Sequence, residues 1–164
     1  MIVPLLLIGL LGDPAPRDRP FNHVTLPEKN SVTVSTDLPD FYDTIIKVGL
    51  GGADLAGLDL LVIPIGEQNR EDGVLAHVKK FGGRYYLFIS VLDRRDAIEV
   101  IGHEVWHVIQ YDSGELAYDY STGAVRWEGA DYYNEAIPYE ERPWERDAFV
   151  NGPVISSRIE RELW

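Results

Sequence analysis

Residues His103-Glu104-Val105-Trp106-His107 spell an HExxH pentapeptide inside a stretch whose periodicity is helical. In a helix, positions four apart share one face about 6 Å apart along the axis, so both imidazoles can reach one metal ion with Glu104 beside it. That spacing suits a zinc ion set up for hydrolysis.

A five-residue pattern of ordinary residues arises by chance, so its setting matters. Asp93 reads as an N-cap, and Ala97, Ile98, Ile101, Val105, Val108 and Ile109 recur at helical spacing until Asp112-Ser113-Gly114 breaks the run. In projection the apolar residues fill one arc, and His103 and His107 lie opposite with Asp96, Glu99 and Gln110. The plainer alternative is a solvated helix face that carries two histidines.

Zinc in a catalytic site takes three protein ligands and leaves one position open. Glu145 is the expected third ligand. Pro143 suits the first turn of a new helix and Gly152 its end; Trp144, Ala148 and Phe149 form an apolar arc with Glu145 near its centre. A carboxylate that points inward among hydrophobes needs a partner. Asp147 projects to the other side, and Glu140 and Glu141 rank second because they precede the proline. The alternative for this segment is a charged, solvated face.

The run His103 to Gln110, a connection rich in tyrosine and tryptophan, and then Arg142-Pro143-Trp144-Glu145-Arg146-Asp147-Ala148-Phe149 resemble the small gluzincin-type metallopeptidase domains, including some from phages and bacteria. The resemblance covers about Tyr85 to Val150, and its pentapeptide is specific to zincins as a clan. It implies His103, His107 and Glu145 as zinc ligands and Glu104 as general base. The chain departs from the larger gluzincins in lacking a helical Asn-Glu-x-x-x-Asp motif: Asn134-Glu135 runs into Pro138, which makes Glu135 a poor helical ligand.

These residue types outline a mechanism. Zinc lowers the pKa of a water to about 7, and Glu104 takes that water's proton and passes it to the leaving amine. An oxyanion donor is also expected, and Tyr111, Tyr118, Tyr120, Tyr132, Tyr133 and Tyr139 all lie between the two ligand helices in sequence, with nothing to choose among them. Asp96, Glu99 and Asp147 are available by position to orient the histidines.

The elements that must carry this site read as α+β, a minimal zincin-like fold. The expectation is a twisted, mostly antiparallel sheet packed on the HExxH helix, with a later helix bringing the third ligand. Ser31 to Thr36 alternates as a strand, Asp37 to Leu50 forms a helix ended by Gly51-Gly52, and Leu58 to Ile65 is a buried strand. Val74 to Val78 and Tyr85 to Val91 make a hairpin around Gly82-Gly83, whose edge could bind an extended peptide. His77 shares a strand face with Lys79 and is expected to face solvent. Leu116 to Trp127 reads as a second hairpin, and Ser157-Arg158-Ile159-Glu160 as the capping box of a short C-terminal helix.

The 164 residues suit one domain, 1–164, with 1–20 as a hydrophobic, Pro-rich lead-in that includes the apolar run Met1 to Gly12. That run is too short to span a bilayer; it reads as a docking segment for a protein partner, a buried strand or a signal peptide. Fifteen basic against 27 acidic residues give a net charge of −12, which disfavours nucleic acid and anionic membranes as partners. The chain has no cysteine, which excludes disulfides and thiolate zinc sites. A cytoplasmic or virion-associated location is favoured over secretion. The function expected is zinc-dependent peptide-bond hydrolysis of a peptide or protein substrate. Two alternatives stay open: a zincin-like structural or binding module, such as a phage particle component, and a metal-dependent hydrolase of a non-peptide amide or ester.

Overall fold

A computed structural model describes residues 30–164 apart from 52, 54, 56 and 66–72. The lead-in, Met1 to Gly12 within it, and His23 lie outside the described residues. The elements run β1 (Ser31–Val34), α1 (Phe41–Leu50), β2 (Asp59–Pro64), β3 (Ala76–Phe81), β4 (Arg84–Ile89), α2 (Arg94–Asp112), β5 (Leu116–Asp119), β6 (Ala124–Trp127), β7 (Ala130–Tyr132) and α3 (Pro143–Leu163). The α+β class and the order of elements up to β6 follow the sequence pattern.

The main sheet has the order β1-β2-β4-β3. It is not mostly antiparallel: β1–β2 and β2–β4 are parallel, and only β3–β4 is antiparallel. The physical reason is α1, a crossover that returns the chain to the same end of the sheet before β2 starts, as parallel neighbours require. Leu60 and Val62 of β2 and Tyr85, Leu87 and Ile89 of β4 are buried, and they cluster with Ile45, Ile46 and Leu50 of α1 and Ile101 and Val105 of α2. Gly82 (φ 59°) and Gly83 (φ 82°) close the β3–β4 hairpin with two left-handed residues, as a tight hairpin of right-twisted strands demands.

The second hairpin gains a third strand, β7, to make the antiparallel sheet β5-β6-β7. Its turn is Glu128-Gly129, both at positive φ, between the paired Trp127 and Ala130. Glu at the first position hides this turn from a sequence search for Asn-Gly or Asp-Gly. Leu116, Val125 and Trp127 form a small core there with Trp144 of α3.

The largest departure is at the C-terminus. Gly152 does not end a helix, and Ser157 caps none: α3 runs unbroken through Gly152-Pro153 to Leu163. A proline inside a helix costs about 3 kcal/mol through its missing N–H and its clash with the preceding turn. Burial of Ile155 and Ile159 in the main core, at 1% and 0% exposure, offsets that cost. Among the described residues, no helix is long and apolar enough to cross a membrane.

Candidate metal centre

Asp93 caps α2, its Oδ1 accepting from the backbone N–H of Arg95 at 2.9 Å and of Asp96 at 3.0 Å. One side of the helix, from Ala97 to Ile109, enters the main core. The histidine side is covered as well. α3 lies along it, and the two helices meet at Gly102 and Gly152, where neither tolerates a side chain. A Cβ on Gly102 would sit 2.1 Å from Ser156 Oγ and 2.8 Å from the Gly152 carbonyl oxygen; a Cβ on Gly152 would sit 2.9 Å from His103 Cα.

This close approach brings Glu145, in the first turn of α3, onto the histidines. Its Oε2 lies 3.1 Å from His103 Nε2 and 3.2 Å from His107 Nε2, and the two Nε2 atoms are 3.1 Å apart. Tetrahedral zinc with ligands at about 2.0–2.1 Å has ligand-to-ligand edges of about 3.3 Å, so this near-equilateral triangle is the right size to hold such an ion. Two imidazole nitrogens this close also need a cation between them, a proton or a metal. Two imidazoles and a carboxylate suit zinc in chemistry as well as in size. Burial pushes His107 down, but its hydrogen bond to Glu145 and the charges of Glu145 and Glu104 outweigh it and hold the imidazole up at about 9. Burial likewise pushes Glu145 up, but hydrogen bonds from both histidines and their charges hold it well below the usual carboxylate range.

Glu104 sits beside the triangle at 5% exposure, and its Oε2 has no hydrogen-bond partner among the described residues. Burial raises its pKa, against the opposing charges of His107 and His103. The backbone N–H of Val78 on β3 lies near the same carboxylate and lowers its pKa slightly, against the effect of burial. β3 is the edge of the main sheet. Ser90 N–H donates to the Leu75 carbonyl, which makes the odd-numbered residues of β3 the ones bonded to β4 and turns the backbone of Ala76, Val78 and Lys80 off the free edge. Tyr120 donates to the Lys80 carbonyl at 2.8 Å.

Among the six tyrosines, Tyr139 has its phenol near Glu145; burial first, then the charge of Glu145, push this phenol far up. Its ring meets Phe149 edge-on, and Phe149 in turn packs on the His103 ring with centroids 4.7 Å apart. Tyr132 packs against Trp144, and Tyr118 against Tyr120.

Two sequence-based placements need correction. Asp147 does not project away from the site: it is buried, and its Oδ2 accepts from Trp106 Nε1 at 2.6 Å and Gln110 Nε2 at 2.9 Å. The buried arc of α3 is wider than the Trp144–Phe149 stripe because one flank meets α2 and the other the small sheet. Phe149, expected in the buried arc, is instead 48% exposed on the rim. Asp96 and Glu99 are exposed, and the group that contacts His107 Nδ1 is Gln110, at 2.7 Å. Gln110 is three residues past His107 on the same face, and that was the available signal. Glu140 and Glu141 are exposed in a short 3-10 turn, as is Glu135 in another. His77 is half-buried, stacked on Phe88.

Among the described residues, His103, His107 and Glu145 form a group able to hold a metal ion. The chain matches no protein-family model, and neither curated proteins nor solved structures show a match to it.

Proposed function

We propose that this chain is a zinc-dependent metallopeptidase in which His103, His107 and Glu145 hold the metal and Glu104 is the general base. The observation that carries this reading is Glu104: a buried carboxylate with an unpartnered oxygen, next to a three-ligand triangle of tetrahedral size. Such a group costs stability, and buried carboxylates of this kind cluster where a proton has to be moved. Bound zinc supplies a Lewis acid that activates water and polarises a carbonyl.

The chain's own residues supply the rest. Glu104 takes a proton from the attacking water on its carboxylate and delivers it to the departing amine nitrogen. Burial raises its affinity for that proton, which keeps it from losing the proton to bulk solvent first. Tyr139, whose phenol lies near Glu145, is the tyrosine we assign to donate to the developing oxyanion. The outward backbone groups of Ala76 and the outward carbonyl of Val78 offer an extended peptide a strand to pair with, next to Glu104.

That free edge favours a peptide over a small amide or ester, although those share the same catalytic residues. A structural module would close the metal with a fourth protein ligand, whereas the cluster found among the described residues has three members. The test is cleavage of a peptide library by the zinc-loaded chain and by Glu104→Ala. Cleavage by the first and not by the second is expected; equal cleavage by both contradicts the role of Glu104.

A further inference from the structure

We propose that Gln110 and Asp147 are positioning residues that lock the His107 ring with Nδ1–H turned to Gln110, so that Nε2 is the nitrogen turned to the metal. This inference rests on the zinc reading above and extends it to residues that never touch the ion.

The polarity of the network follows from groups that can play only one role. The Trp144 carbonyl can only accept, and it lies 3.0 Å from Gln110 Nε2. The Trp106 indole can only donate, and it uses Asp147 Oδ2, which also lies 2.9 Å from Gln110 Nε2. Both contacts require the amide nitrogen of Gln110 on that side, so the amide cannot be flipped. Gln110 Oε1 therefore faces His107, and at 2.7 Å it accepts a hydrogen bond from Nδ1–H. Asp147 is itself fixed: Asn151 Nδ2 donates to its Oδ1 at 3.1 Å and to its backbone carbonyl at 2.8 Å. Gln110 is fully buried, and Asp147 and Asn151 are 6% and 2% exposed, so water does not compete for these bonds. The order is Trp106 and Asn151 onto Asp147, Gln110 onto Asp147 and the Trp144 carbonyl, and His107 onto Gln110. The two helices that supply the ligands thus also supply the clamp.

The clamp is tested by zinc affinity, measured by competition with a chelating dye, in the wild type, Gln110→Met, Asp147→Ala, Asp147→Asn and the core control Ile155→Val. Gln110→Met and Asp147→Ala should each bind zinc about 10- to 100-fold more weakly, as the loss of an orienting partner typically does. Asp147→Asn keeps an oxygen for Gln110 and Trp106 but turns its NH2 toward Asn151 Nδ2, so it should recover part of the loss and bind zinc more tightly than Asp147→Ala. Ile155→Val loses a core methyl without touching the network and should bind as the wild type does. Long-range 1H–15N NMR of the zinc-loaded wild type gives a readout free of any variant: a slowly exchanging proton on His107 Nδ1 is expected. Wild-type affinity in Gln110→Met, or a His107 Nδ1 proton that exchanges as fast as that of an exposed imidazole, overturns the clamp while leaving the metal centre standing. Failure of the wild type to bind zinc overturns both.

Discussion

Gly102→Ala should destabilise the protein, and the sign of the effect is the informative part. In an exposed helix interior this change is favourable by about 1 kcal/mol, because glycine loses more backbone freedom on folding than alanine. Here the new methyl would sit 2.1 Å from Ser156 Oγ and 2.8 Å from the Gly152 carbonyl oxygen. The hydroxyl can rotate away, but the carbonyl belongs to the backbone of α3, so the helices must separate. Overpacking of this kind costs about 1–3 kcal/mol, and taking the upper end against the propensity gain leaves a net loss of about 2 kcal/mol. Separation also withdraws Glu145 from His103 and His107, so zinc affinity should fall with stability. Urea denaturation of the metal-free chain gives the first quantity and dye competition the second. Gly49→Ala is the control: its methyl would meet only side-chain methyls, at 3.2 Å and beyond, and should be tolerated. A Gly102→Ala variant more stable than the wild type, with unchanged zinc affinity, would refute the claim that close contact of α2 and α3 sets the site.

Glu104→Gln should make the metal-free protein more stable at neutral pH by on the order of 1 kcal/mol, because it removes a buried, partly unsatisfied charge; a stability equal to or below that of the wild type in urea would count against that view. The pH dependence of the metal-free chain follows from the His107–Glu145 pair. His107 titrates at about 9 against an ordinary 6.5, so its contribution is full below 6.5 and is lost as pH rises through 9. Glu145 is lowered from 4.5, so its contribution is full above 4.5 and is lost as the solution is acidified. Urea midpoints measured across pH should therefore show this pair contributing most between 4.5 and 6.5. Zinc competes with the His107 proton, so zinc affinity should climb with pH and level off above about 9 in the same dye assay. Tyr139→Phe should lower kcat about 100-fold with zinc content unchanged, if the phenol donates to the oxyanion; an unaltered kcat would remove Tyr139 from the mechanism.

Local chemistry was legible in the sequence where one physical rule acted alone. The Asp93 cap, the Gly82-Gly83 turn and the i, i+4 histidines each depend on neighbours within a few residues, and each sits where its pattern places it. Glu145 was found by asking which carboxylate pointed inward, a question that helical projection can answer. The same projection failed for Asp147, because a helix wedged between two layers buries more than one stripe. Gly152 misled for a related reason: tertiary packing of Ile155 and Ile159 carries the helix through Gly152-Pro153, a pair that would end it in isolation. The parallel pairing was readable from a helix set between two strands, yet the nearby Gly-Gly hairpin pointed to an antiparallel sheet. The Gln110 network could not be derived without the helix–helix register, since its partners Trp144 and Asp147 lie on another element.

The most direct test of the metal centre is zinc stoichiometry in the purified, dialysed chain and in Glu145→Ala, measured by plasma emission spectrometry. One zinc per wild-type chain and a large loss in Glu145→Ala are predicted. A wild type that retains no zinc, or a Glu145→Ala variant that retains it in full, would contradict the site built from His103, His107 and Glu145.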